Sequence, residues 1–169
     1  RDGKLVVAHD ETIDRVSNST GYIKDYTLAQ LKKLSFNRLF PDFKDARIPT
    51  LKEVYELLKP AGLTVNVELK TGIILYPEIE EKVLALTASM GMEDRVIYSS
   101  FCHPSLVRLK ELDSGLKTGL LYSDGWIDAA AYGRHTVGAD ALHPALYHMQ
   151  DPQLIPAARR QGLAVNVWT

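Results

Sequence analysis

Cysteine is nearly absent: Cys102 is the only one in 169 residues, so no disulfide can form within the chain. A single thiol fits a reducing compartment. Cys102 has no evident base beside it, which argues against a thiol nucleophile. No apolar run approaches the roughly 20 residues of a membrane helix, so stable membrane insertion is not expected. Neither sign of charge is in excess. Twenty Lys and Arg against 21 Asp and Glu leave a net charge of −1, with no polybasic signal for nucleic acid or an anionic membrane. Several signatures are missing as well. No Gly-x-Gly-x-x-Gly follows a strand, and no Gly-Lys-Ser/Thr phosphate loop exists. There is no Gly-x-Ser-x-Gly elbow and no zinc spacing of Cys and His.

What is present suffices for one domain with a real core, since 46% of the residues are hydrophobic and 24% charged. Six β-like runs recur: Leu5–Asp10, Leu63–Leu69, Arg95–Phe101, Lys117–Ser123, Ala139–Ala145 and Leu163–Thr169. Helical patterns separate most of them. Thr50-Leu51-Lys52-Glu53 is a capping box with an apolar stripe behind it. Pro77 and Pro104 suit first helical turns, and Asp151-Pro152 reads as an N-cap followed by proline. The segment Trp126–His135 carries a fainter helical pattern. Strands alternating with helices predict a parallel sheet covered by helices.

The polar residues sit at the carboxyl ends of these runs: His9-Asp10, Glu68-Lys70, Ser99-Ser100, Ser123-Asp124, His143 and Trp168. A TIM (βα)8-type barrel builds its site there. The expected fold is therefore α/β, a barrel of which six strands are present, all of 1–169 forming one domain. Residues 11–49 are too long for one helix and rich in turns, so they are expected to form an insertion that caps the mouth. Arg1 is no initiator Met, and Thr169 closes directly on a strand-like run. Both ends are thus expected to belong to a longer chain, with two strands before Arg1, and the compartment stays open.

The segment Val65-Asn66-Val67-Glu68-Leu69-Lys70 is the most informative. Strand side chains alternate, so Asn66, Glu68 and Lys70 share one face. Glu68 could ligate a hard divalent cation, or simply form a salt bridge with Lys70. Lys70 could be a point charge for a phosphate oxygen. His9 could move a proton near neutrality, or be a buried, hydrogen-bonded histidine without a chemical role. Phe101, Trp168 and Tyr147 could wall a pocket. Of these Trp168 is favoured, because it shares a face with Asn166 at a strand end. His143 also sits at a strand end, though His-Pro there could simply shape a turn, and His103, His135 and His148 read as exposed or structural. No exposed aromatic cluster of the kind a lipid enzyme needs is evident.

These motifs together resemble the glycerophosphodiester phosphodiesterase family. Asp2-Gly3-Lys4-Leu5-Val6-Val7-Ala8-His9-Asp10, Ile13-Asp14-Arg15, Ile48-Pro49-Thr50-Leu51, Asn66-Val67-Glu68-Leu69-Lys70, Ser99-Ser100-Phe101 and Val167-Trp168-Thr169 match its motifs in order. The resemblance implies a TIM barrel with a small insertion. It implies hydrolysis of a glycerophosphodiester to glycerol 3-phosphate and an alcohol, with Mg²⁺ or Ca²⁺ as cofactor. It implies His9 as one of two acid–base histidines and Glu68 as a metal ligand. Lys70 would lie near the substrate phosphate, and Trp168 would line the pocket. The family's "HRG" and "E-x-D" motifs and its final helix have no counterpart here, so the isolated piece is expected to be inactive. Two alternatives remain: a related phospholipase D-like lipid phosphodiesterase, and a non-catalytic barrel serving as a binding module.

Overall fold

A computed structural model describes residues 1–169. The chain forms two compact units, Arg1–Gly62 and Leu63–Thr169. The predicted insertion, 11–49, lies inside the first.

The first unit is built largely from turns around a small core of Ile13, Leu31 and Ile48. Two short helices, α1 (Leu28–Leu31) and α2 (Leu51–Leu58), each begin with a capping box. At α2 the Thr50 hydroxyl accepts from the Glu53 amide, and Glu53 accepts from the Thr50 amide in return. Two donors that a helix start leaves orphaned are thereby satisfied. Lys32 closes on the same carboxylate at 2.6 Å.

The run Leu5–Asp10 departs from expectation, because it joins no sheet. Val6 makes one antiparallel bridge to Thr50, with the Val7 amide on Pro49 O and the Leu51 amide on Leu5 O. Its apolar residues Val6 and Ala8 pack instead on the Ile13–Leu31–Ile48 core. The apolar content that reads as a barrel strand is spent on this local core.

The second unit carries a five-stranded parallel sheet in chain order: β1 (Val65–Glu68), β2 (Val96–Ser100), β3 (Lys117–Tyr122), β4 (Ala141–Pro144) and β5 (Ala164–Val165). Five of the six expected runs thus pair as a parallel α/β sheet. The last one shortens to two residues, and Trp168 rejoins β4 through a single bridge to Ala145. The intervening helices are α3 (Ile79–Ser89), α4 (His103–Leu112), α5 (Ala129–Ala131) and α6 (Leu154–Arg160). α3 starts two residues after Pro77, because Glu78 takes a left-handed conformation at φ 60°. Trp126–His135 becomes a helix only from Ala129, and α5 runs on as a π-helical turn over Tyr132–Val137. No helix is long and apolar enough to cross a membrane.

Register decides which side chains share a face. Glu68 pairs with Ser99, Ser99 with Gly119, and Gly119 with Ala141, while Leu121 pairs with His143. These residues lie on one face. Val67, Tyr98, Leu120 and Leu142 lie on the other and are buried. Gly133 of the π-helical turn sits directly against Leu142 and Leu120, which marks that second face as the helix-covered one.

Two predictions follow from this architecture. Lys32 first, then Thr50, holds the Glu53 carboxyl at about 2, below its ordinary 4.5. A depressed carboxylate contributes stability that is present above its unfolded pKa and is lost as pH falls through the folded value. Glu53→Gln should therefore lower stability by a constant amount above about pH 5, and the gap to the parent should close towards pH 2 in an acid-denaturation series. The second concerns Gly119, whose Cβ, if present, would collide with the His143 imidazole. Gly119→Ala should cost about 1–3 kcal/mol in denaturant melts by overpacking. In a His143→Ala background the same change should cost clearly less, since neighbours in contact are coupled.

Candidate active site

The first unit holds the histidine expected to move protons. His9 is not at a strand end but on an exposed turn, its side chain 79% accessible. It is not solitary. Its Nδ1 lies 2.7 Å from Asp10 Oδ1. Asp10 in turn receives Arg15 twice, Nε to Oδ2 at 2.7 Å and a terminal nitrogen to Oδ1 at 3.0 Å. Arg15, and then His9, hold the Asp10 carboxyl far below the usual carboxylate range. Neither Asp10 nor Arg15 had been assigned a role from the sequence. The available signal was opposite charges five residues apart, one of them beside the histidine.

In the second unit, Glu68 ends β1 and Lys70 follows it on the same side, as alternation requires. The structure brings the two together: Lys70 Nζ stands 2.8 Å from Glu68 Oε1, each side chain a little over one quarter accessible. Oε1 is buried, and the contact holding it is this ion pair. Ser99, beside Glu68 in the register, is fully buried with an unpartnered hydroxyl. A buried polar group without a partner is costly and is uncommon away from functional sites.

A hard cation takes oxygen donors, and a buried carboxylate oxygen held by an ion pair alone is a fitting one. Glu68 fits as one ligand, with Lys70 as its competing partner. No group of three or more His, Cys, Asp or Glu side chains gathers to hold a metal ion.

His143 lies on the same face, one register step beyond Ala141. It is a buried side chain rather than a turn former. Asn166 Nδ2 meets its Nε2 at 2.9 Å, and burial pushes the imidazole below its ordinary value, favouring the neutral ring. The sequence signal was the glycine inside the apolar run Lys117–Tyr122, which marks a close approach in a strand. Trp168 donates from its indole to His143 O at 3.0 Å and meets Phe101 edge to face at 5.5 Å. Trp168 also borders an apolar cleft of about 660 Å³ with Tyr147 and Met149. Neither Glu68 nor Lys70 lines this cleft.

The remaining histidines are structural or surface groups. Buried His103 bonds the Leu121 carbonyl at 2.8 Å, His148 bonds Ser123 O at 3.0 Å, and exposed His135 meets Gln161. Against the expectation that no exposed aromatic cluster is evident, Phe40 and Phe43 are each 67% accessible and meet edge to face at 6.5 Å. On the loops following β2 and β3, Phe101 and Trp126 are 42% and 41% accessible, and Ile127 is 99% accessible.

Known proteins share this sequence and fold. The model of the glycerophosphoryl diester phosphodiesterase family matches residues 1–169. A glycerophosphodiester phosphodiesterase of Caldanaerobacter subterraneus is 42% identical over the whole chain, which spans 69% of that protein. Another, from Bacillus altitudinis, is 38% identical over 85% of the chain, covering 59% of its own length. The crystal structure of the Agrobacterium tumefaciens glycerophosphodiester phosphodiesterase superposes with a TM-score of 0.80 at 27% identity. That match covers the whole chain and 71% of that protein. The structural neighbours are TIM barrels. By the match along its whole length, the chain belongs to the glycerophosphoryl diester phosphodiesterase family of hydrolases.

Proposed function

We propose that the protein carrying this chain hydrolyses glycerophosphodiesters, releasing glycerol 3-phosphate and an alcohol. The observation that carries this reading is the pairing of a family match over every residue with the carboxylate and ammonium at the end of β1. A phosphodiester is anionic, and its hydrolysis builds charge on the phosphoryl oxygens, which positive groups must offset. Lys70 supplies one such charge. Glu68, whose buried oxygen suits a hard cation, would help hold Mg²⁺ or Ca²⁺. When bound, such an ion offsets phosphoryl charge and acidifies a coordinated hydroxyl or water. His9 exchanges the proton that the attacking group loses or the leaving alkoxide needs, through Nε2, the ring nitrogen that has no protein partner. Trp168 and Phe101 present aromatic surface to the substrate.

In the full-length protein, His9→Ala should lower turnover of glycerophosphocholine by about 10²–10⁴-fold while calorimetry finds metal affinity near normal. Parallel loss of both would make His9 a structural residue. Glu68→Gln should weaken Mg²⁺ or Ca²⁺ binding in the same titration. Unchanged affinity removes Glu68 from the ligands.

A second reading, a lipid phosphodiesterase, draws on the exposed Phe101, Trp126 and Ile127 on loops at the carboxyl ends of neighbouring strands. A lysophospholipid hydrolysed faster than glycerophosphocholine would favour it.

A further inference from the structure

Arg15 has no part in the roles assigned above, yet its position is tightly fixed. Ile13, wholly buried, anchors a turn in which the amides of Val16 and Ser17 both bond Ile13 O. Arg38 clasps this turn from outside, donating to Asp14 O at 2.7 Å and, through its amide, to Val16 O. The Asp14 carboxylate accepts the Gly21 amide at 2.9 Å. The backbone around Arg15 is thus held on both sides. The guanidinium ends on Asp10 as a two-pronged pair, the geometry in which an arginine fixes a carboxylate's orientation as well as its charge.

That orientation decides the protonation of the next group. An ionised carboxylate only accepts hydrogen bonds. Asp10 stays ionised, so the ring nitrogen facing it at 2.7 Å must be the donor. We propose that Arg15 is a positioning residue that acts through Asp10, holding His9 in its Nδ1–H tautomer with Nε2 as the proton-exchanging atom. The proposal rests on His9 being the proton-transfer group. The chemistry balances at one site. Neutral Nε2 takes a proton through its lone pair, imidazolium returns it from the same atom, and the Nδ1 proton stays on the ring bonded to Asp10.

The test reads the tautomer directly. In the full-length protein labelled with ¹⁵N-histidine, two-bond correlation spectra should show His9 as the Nδ1–H form when neutral. Arg15→Ala and Asp10→Asn should shift it towards the Nε2–H form that predominates in unconstrained imidazole. The same variants should lower kcat by about 10–10²-fold, the scale of a misplaced catalytic group, with KM near the parent value. Arg15→Lys, which keeps the charge but loses the fork, should fall between. An unshifted tautomer in Arg15→Ala and Asp10→Asn, or an unchanged kcat, overturns the proposal. Full activity of His9→Ala would instead remove the functional reading on which it rests, and the spectra would still judge the tautomer.

Discussion

The hydrogen-bond register of four parallel strands is the constraint on which the second unit depends. Alternation makes every strand residue a choice between two sides, and a slip of one residue in any ladder reverses that choice along the whole strand. Glu68, Ser99, Gly119 and Ala141 form one row because each ladder is in phase with the next. What holds the phase is the opposite side. Val67, Tyr98, Leu120 and Leu142 are buried there, and a slip would drive these large side chains into the row of Ser99, Gly119 and Ala141, which is itself buried and has no room for them at Gly119. The helices thereby position the polar row without contributing a charge to it.

The polar row carries buried polar atoms that make no hydrogen bond. Glu68 Oε1 and Ser99 Oγ are buried without hydrogen bonds, and Lys70 meets the Glu68 carboxylate as an ion pair. Other buried polar groups find partners, as when Thr71 meets Ser105 at 2.7 Å, or Ser100 donates to Leu69 O, whereas the Tyr122 hydroxyl on the helix-covered side makes no hydrogen bond. The first unit shows the opposite pattern. Its histidine, aspartate and arginine form a complete chain of contacts, and only one ring nitrogen is left to act.

Much of this was legible in the sequence, for identifiable reasons. Capping boxes at Thr50 and the alternation of Val65–Glu68 are local rules with local causes, and both appear as read. The apolar run Leu5–Asp10 was misread because strand propensity reports fitness for a half-buried pleat and not which partner supplies it. Here the partner is a single residue of the Pro49–Leu51 turn. His143 was hidden by the proline after it, which suggested a turn. Its true setting depends on Gly119, a strand away in space and 24 positions away in sequence. The Asp10–Arg15 pair was likewise invisible to strand and helix periodicities, since its spacing belongs to neither. Contacts made across turns and ladders are set by tertiary structure, which periodicity does not encode.

The fit of Gly119 against the His143 ring has a historical corollary. The space between β3 and β4 at that level holds one side chain, and the imidazole has taken it. For diverging descendants the two orders of change at these sites differ in cost. Bulk at position 119 overpacks the pair while position 143 keeps its ring, whereas shrinkage at 143 can come first and leave a void. Substitution histories at the pair should therefore run in one direction, with the loss of the aromatic ring preceding the gain of a methyl opposite.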